Sequence, residues 1–266
     1  MLKTETSKKF NLIWKLARND FKTRYAGSYL GALWAMVQPV ITVLMYYIVF
    51  DKIFQSRAQA VAGGIEIPYV LFLTAGLVPW FYFSEGCTNG TNALLQYNYL
   101  VKKVVFDIDI LPIIKVVAAS FIHVFFLCVL IIIGALYGYY PNFYSFQLLY
   151  YSFCMFVLLW AISYFTSSIV VFFRDLTQII QIGLQLGMWA TPILWNIEAL
   201  SPTWQFILKL NPVAYVVLGY RSTICENKGF WLDWKYGLYF WAFTLLFMLW
   251  SKKIFNRLKV HFADVL

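Results

Sequence analysis

Glu85 and His123 are ionisable side chains set inside long apolar runs of this chain. A lone charge there is expensive to desolvate, so each is a functional candidate, and proton relay is the chemistry open to them. Ser84, Thr88 and Asn89 surround Glu85 and offer the plainer role of a hydrogen-bonded packing contact. A relay also needs more groups than these two. His123 reads as a donor between helices. Asp107 and Asp109 form the remaining close pair of acids, a thin basis for transfer of a glycosyl or phosphate group. No Gly-x-x-x-x-Gly-Lys-[Ser/Thr] is present, so the chain has no P-loop for ATP. No Gly-x-Ser-x-Gly and no His/Cys/carboxylate cluster with metal-ligand spacing occurs. Cys87, Cys128, Cys154 and Cys225 lack paired spacing, which argues against a disulfide framework.

The elements holding these residues are those of a membrane protein. Hydrophobic residues make up 62%, aromatics 21% and charged residues 12% of the chain, far from a soluble balance. The apolar runs are continuous over about 20 residues and do not alternate, which selects helices over a β-barrel. An all-α fold with six transmembrane helices is expected, spanning 30–50, 68–93, 113–137, 143–173, 177–195 and 231–250. The whole chain, 1–266, reads as one transmembrane domain. The N-terminus has no signal-peptide core or cleavage site, so the first span is expected to be retained.

Residues 10–25 carry Phe10, Ile13, Trp14, Ala17 and Phe21 on one helical stripe, with Lys8, Lys9, Lys15, Arg18 and Lys22 around it. That pattern predicts an amphipathic helix lying in the membrane interface. Residues 51–67 read as a polar loop. Residues 197–225 are apolar, but Ser201-Pro202 and Asn211-Pro212 divide them into pieces too short to cross about 30 Å of hydrocarbon. Ser or Asn before Pro starts a helix, so two re-entrant half-helices are expected, with Pro202, Asn211 and Pro212 as corners of an outer gate.

With both termini inside, 15 of the 21 Lys and Arg lie on the cytoplasmic side and 6 outside. The positive charge therefore belongs to a membrane surface, not to nucleic acid. The same orientation places residues 92–103 in the cytosol. There a short helix is expected to present Leu94, Leu95, Tyr97, Leu100 and Val101, with Lys102, Lys103 and Phe106 beside it. Apolar side chains in such a loop call for a covering protein, so the segment reads as a docking element; an interfacial turn resting on lipid headgroups is the alternative. Val104 to Pro112 reads as extended chain. The aromatics Tyr46, Tyr47, Trp80, Tyr82 and Trp189 fit either interfacial belts or the flat wall of a passage for sugar rings.

Five segments carry a resemblance: RNDFKTRYAGSYLGALWAMVQP at Arg18–Pro39, LTAGLVPWFYF at Leu73–Phe83, VKKVVFDIDILP at Val101–Pro112, FFRDLTQIIQIGLQLGMWATPILW at Phe172–Trp195 and LNPVAYVVLGYR at Leu210–Arg221. In this order they resemble the permease subunit of ABC-2 type exporters, in the branch that exports O-antigen, capsule and teichoic acid. The resemblance implies a homodimer in the inner membrane of a bacterium, with two copies of an ATP-binding cassette subunit carrying ATP and Mg. This chain itself would bind no cofactor and would not be an enzyme. It further implies a polyprenyl-diphosphate-linked polysaccharide as substrate, with 92–103 as the coupling helix. Lys22 and Arg24 are then candidates for the diphosphate, with lipid-headgroup contact as the alternative. The family's usual Phe-Pro after the coupling helix is here Phe106-Asp107. Three rivals stand beside this reading: an embedded glycosyl or phosphate transferase, a stand-alone secondary transporter, for which neither coupling residues nor an inverted repeat is found, and an ABC-2 exporter of another lipid or drug.

Overall fold

A computed structural model describes residues 2–24, 26–27, 29, 31–53, 59–61, 65–102 and 106–266. Lys103, named above, lies outside the described residues. In chain order the elements are α1 (Leu2–Arg24), α2 (Trp34–Tyr46), β1 (Gln59–Val61), β2 (Ile65–Ile67), α3 (Tyr69–Thr91), α4 (Ala93–Gln96), α5 (Asn98–Val101), α6 (Leu111–Leu136), α7 (Gln147–Val170), α8 (Leu176–Ala190), α9 (Pro202–Lys209), α10 (Pro212–Cys225), α11 (Trp234–Leu258) and α12 (Phe262–Val265). The fold is all-α apart from one small hairpin, in which β1 runs antiparallel to β2 with Gln59 opposite Ile67.

Among the described residues four helical stretches are long and apolar enough to span a bilayer: Tyr69–Thr91, Ile108–Leu136, Phe143–Val170 and Phe230–Val265. Trp34–Phe50 and α8 are shorter apolar helices. α3 is the central element. Its first half is almost wholly apolar, and its buried residues pack against α6, α7 and α10. Small residues permit this close approach. A Cβ at Gly86 would press into Leu159, and one at Gly90 into Ser163, both on α7. α2 and α8 bury no side chain fully within the chain. Their exposed Leu, Ile and Trp suit a helix facing lipid or a neighbouring chain.

Several boundaries differ from the sequence expectation, each for a local reason. α8 stops at Ala190 because Thr191 is extended, the conformation that a following proline imposes. The segment 51–67 is not simply a loop, since helical winding continues through Ile53 and the hairpin follows. Ile108–Ile110 forms a helical turn leading into α6 where extended chain was expected. Beyond the expected end of the last span at 250 the chain stays helical and packed: α11 continues to Leu258, and Phe255 and Phe262 are fully buried. They join Ala17, Leu94, Ile114 and Tyr164 in a second apolar cluster at the end of the bundle near both termini.

Candidate functional site

A cleft of about 960 Å³ opens between α2, α3 and α8 with the end of α1 at its edge. Ser84, Glu85, Thr88 and Asn89 line it from α3, where one-turn spacing places them on one face. Gln38 and Thr42 face them from α2, Gln181 from α8, and Trp34 and Phe81 supply aromatic surface. Hydroxyls, amides and flat rings around one cleft can hold a polyhydroxyl ligand without a net charge.

Charge at the cleft is matched internally. Arg24 donates to Glu85 at 2.6 Å and to Asp20 at 3.0 Å. Asp20 also accepts from the Tyr97 hydroxyl at 2.7 Å and from Lys115. Lys115 is buried, donates to Gln96 at 2.5 Å and sits 4.7 Å from the centre of the Tyr97 ring. Two cations thus face two carboxylates, the arrangement buried charges require. Burial works against ionising Asp20, but the hydrogen bonds and charges of Lys115, Tyr97 and Arg24 outweigh it and hold the carboxyl below its usual range. The result is a continuous polar path from Glu85 in the cleft, through Arg24 and Asp20, to Tyr97 and Gln96 in the 92–101 loop. The sequence reading missed Asp20 and Lys115. A lysine one turn into an apolar run was the available signal.

The loop itself departs from expectation. It forms two single turns, α4 and α5, in place of one helix. Leu94 and Val101 are buried in the second cluster, and Leu95, Tyr97, Leu100 and Phe106 are half-buried. Leu94 and Val101 sit with Ala17 of α1 and Ile114 of α6 and hold the loop onto its own chain, and Tyr97, Leu100 and Phe106 pack at the edge of that cluster. The exposed tip is Gln96, Asn98, Tyr99 and Lys102. Asp107, which stands at the family's proline position, accepts from Lys9 of α1 at 2.8 Å. That hydrogen bond, against slight burial, keeps its carboxyl below the ordinary range. Asp109 pairs with Lys259 near the C-terminus. Both ends of the chain are therefore tied to the segment following the loop.

The five aromatics do not share one wall. Trp80 lies in the core against Gly187, where an added Cβ would stand 3.1 Å from its ring. Tyr82 is also buried, stacked on His123 at 4.4 Å between ring centres. Tyr46 reaches the Met188 sulfur at 3.9 Å, and Tyr47 has Lys52 5.4 Å from its ring centre. Trp189 is 61% exposed and lines an apolar notch with Trp195 and Trp204. His123 shares hydrogen bonds with Ser152 and Tyr220, each at 3.0 Å, and so joins α6, α7 and α10. Of the two cations assigned to a diphosphate, Lys22 is exposed, while Arg24 already holds two carboxylates. The two do not form a ready anion site.

At the opposite end of the bundle, Pro202 and Pro212 open α9 and α10. Ser201 makes no side-chain cap, contrary to expectation. Asn211 does, accepting from the Val213 amide at 3.0 Å while donating to Thr191 at 3.0 Å. Arg221 donates to the carbonyls of Phe72, Pro192 and Ile193 and lies 3.6 Å from the centre of the Phe72 ring. It ties the α8–α9 turn to α3, a role the sequence reading did not assign. No group of three or more His, Cys, Asp or Glu among the described residues is placed to hold a metal ion.

A family model described as "ABC-2 type transporter" matches residues 11–225. Two proteins of Klebsiella pneumoniae, each named O-antigen export system permease protein RfbA, are 27% and 29% identical over 264 residues, which is 97% of this chain and 95% of theirs. A protein of the same name from Myxococcus xanthus is 27% identical over 256 residues, 95% of this chain and 94% of its own.

Proposed function

Because the chain belongs to the ABC-2 type transporter family, we propose that it is the permease subunit of an exporter of a lipid-linked cell-surface polysaccharide. It is a multi-pass membrane protein and a transport subunit. In this reading an ATP-binding cassette protein, in two copies, binds Mg and ATP and hydrolyses the nucleotide. A second copy of this chain completes the passage, and the pair sits in the inner membrane with its termini in the cytosol. The polysaccharide assignment follows from relatives named as O-antigen export permeases that align along nearly the whole chain.

The observation that carries the mechanism is the polar path from the 92–101 loop to the cleft through Tyr97, Asp20, Arg24 and Glu85. Nucleotide-driven movement of the partner against Tyr99 and Lys102 would pull on Tyr97, and through Asp20 on Arg24 at the cleft edge. Buried hydrogen-bonded charges have few alternative arrangements, so they pass a displacement on and do not absorb it. Partner and nucleotide then bias two states of the dimer, one with the cleft accessible and one closed. The cleft's hydroxyls and amides replace hydration that sugar hydroxyls lose away from water, and its rings accept their apolar faces. The polyprenyl tail stays in lipid beside α2 and α8. The diphosphate would meet Lys22 at the interface, and Arg24 only if a carboxylate lets go.

Deletion of the gene tests the proposal, with surface polysaccharide measured by extraction and electrophoresis. Loss of surface polymer, with lipid-linked polymer accumulating in the cell, is expected. Undiminished surface polymer would overturn it.

A further inference from the structure

A second pocket, of about 320 Å³, lies at the end of the bundle away from the Lys9–Asp107 and Lys259–Asp109 pairs. The α8–α9 turn, α9, α10 and the start of α11 enclose it. The hydrogen bonds of Asn142 to Asn227 and of Gln147 to Lys228 mark this as the end where α6 gives way to α7. The buried Tyr151 and Tyr215 and the half-buried Tyr236 lie along its wall. Glu198, Lys209 and Asp233 stand exposed around it, and none has a side-chain hydrogen bond or ion pair among the described residues.

We propose that this pocket is a saccharide subsite, taking a sugar ring of a neutral glycan. The proposal rests on the polysaccharide reading above and adds a site outside the large cleft. Charge is the first argument. Arg221, Lys209 and Lys228 offset Glu198, Glu226 and Asp233, so no net field selects an anion or a cation. Arg221 already donates to three backbone carbonyls, and Lys228 pairs with Glu226 at 2.6 Å. The three acids do not gather into a metal-binding group. What remains is a pair of carboxylates able to accept from hydroxyls and one ammonium able to donate, arranged around aromatic surface. An amphipathic ring bearing hydroxyls at its edge and C–H groups on its faces matches that distribution.

Tyr236 supplies the second argument. Its hydroxyl is buried and has no hydrogen-bond partner among the described residues, although the side chain lines the pocket. Buried polar atoms are nearly always paired, and a small turn of the half-buried Tyr236 ring toward the pocket would bring the hydroxyl to that of a ligand. The geometry assigns Tyr236 and Asp233 the polar contacts, with Tyr151 and Tyr215 as the apolar floor.

The test is saturation-transfer NMR on the purified full-length chain in micelles. The probes are methyl glycosides of hexoses, a 6-deoxyhexose and an N-acetylhexosamine, with myo-inositol and inorganic phosphate as controls. At least one glycoside is expected to take saturation on its ring C–H protons. Tyr236→Phe and Asp233→Asn should each weaken its binding about fivefold, the loss of one hydrogen bond, with the melting temperature unchanged or raised. Silence of every glycoside, transfer no greater than to myo-inositol, displacement by phosphate, or binding indifferent to both variants would remove the subsite. The gene deletion above separates the two claims. Absent glycoside binding with surface polymer lost on deletion leaves the export reading standing. Glycoside binding with surface polymer intact on deletion keeps the subsite and removes that reading.

Discussion

Replacing Asp20 with asparagine removes the carboxylate that Lys115, Tyr97 and Arg24 share. The Lys115 and Asp20 side chains are 3% and 8% exposed, so an ammonium is left buried without its counter-charge. Breaking such a pair from one side costs about 3–5 kcal/mol. Lys115 keeps the Gln96 oxygen at 2.5 Å and the Tyr97 ring, which places the loss at the lower end, about 3 kcal/mol. In a chain of this size that lowers the melting temperature by about 6–12 °C. Adding Lys115→Met removes the stranded charge, so the double variant should regain about 1.5 kcal/mol, or about 3–6 °C. Thermal unfolding of the full-length protein in detergent, followed by fluorescence-detected size exclusion, measures both. If the two losses simply add, or if Asp20→Asn melts within about 2 °C of the parent, the cluster is not the buried network described. The sign with pH is also fixed. The Asp20 carboxyl is depressed in the folded state, so its contribution is fully present above the unfolded value near 3.9 and is lost as pH falls through the lower folded value.

Leu94 and Tyr99 should separate packing from docking: Leu94→Ala destabilises the chain by about 2–5 kcal/mol, whereas Tyr99→Ala, at a position 56% exposed, leaves melting unchanged and weakens co-purification with the ATP-binding subunit. Trp80 and Trp189 divide in the same way. Trp80→Ala empties a core site at about 3–5 kcal/mol, while Trp189→Ala leaves melting in place and, if the notch contacts substrate, lowers surface polymer in a complementation assay. For topology, Glu66→Cys and Lys228→Cys should react with an impermeant maleimide from outside intact cells, and Tyr99→Cys, Lys102→Cys and Asp175→Cys should not; the reverse pattern would move the docking loop out of the cytosol.

The helical architecture was legible because long apolar runs leave a membrane chain little choice of secondary structure. The contents of the candidate site were much less so. Asp20 and Lys115 stand 95 positions apart, and Arg24 and Glu85 stand 61 apart; no local pattern announces which cation finds which acid. Leu94 and Val101 looked like docking surface because their loop was considered without α1, α6 and the C-terminal helices that cover it. Trp80 and Tyr82 suffered the same ambiguity, since a ring suits a passage wall and a packed core equally. Asp107 stood out as a departure from its family, but only the fold brought Lys9 within reach of it.

The central claim is that this chain moves a lipid-linked polysaccharide when its partner turns over ATP. Vesicles reconstituted with the full chain and its ATP-binding subunit test it most directly. Radiolabelled lipid-linked polymer is placed in one leaflet, and a glycosidase confined to the other side reports its arrival. The account predicts cleavage that requires both proteins and hydrolysable ATP and that falls when Tyr99→Ala uncouples them. Cleavage that proceeds without this chain or without ATP, or steady ATP turnover by the intact complex with the polymer untouched, would contradict it.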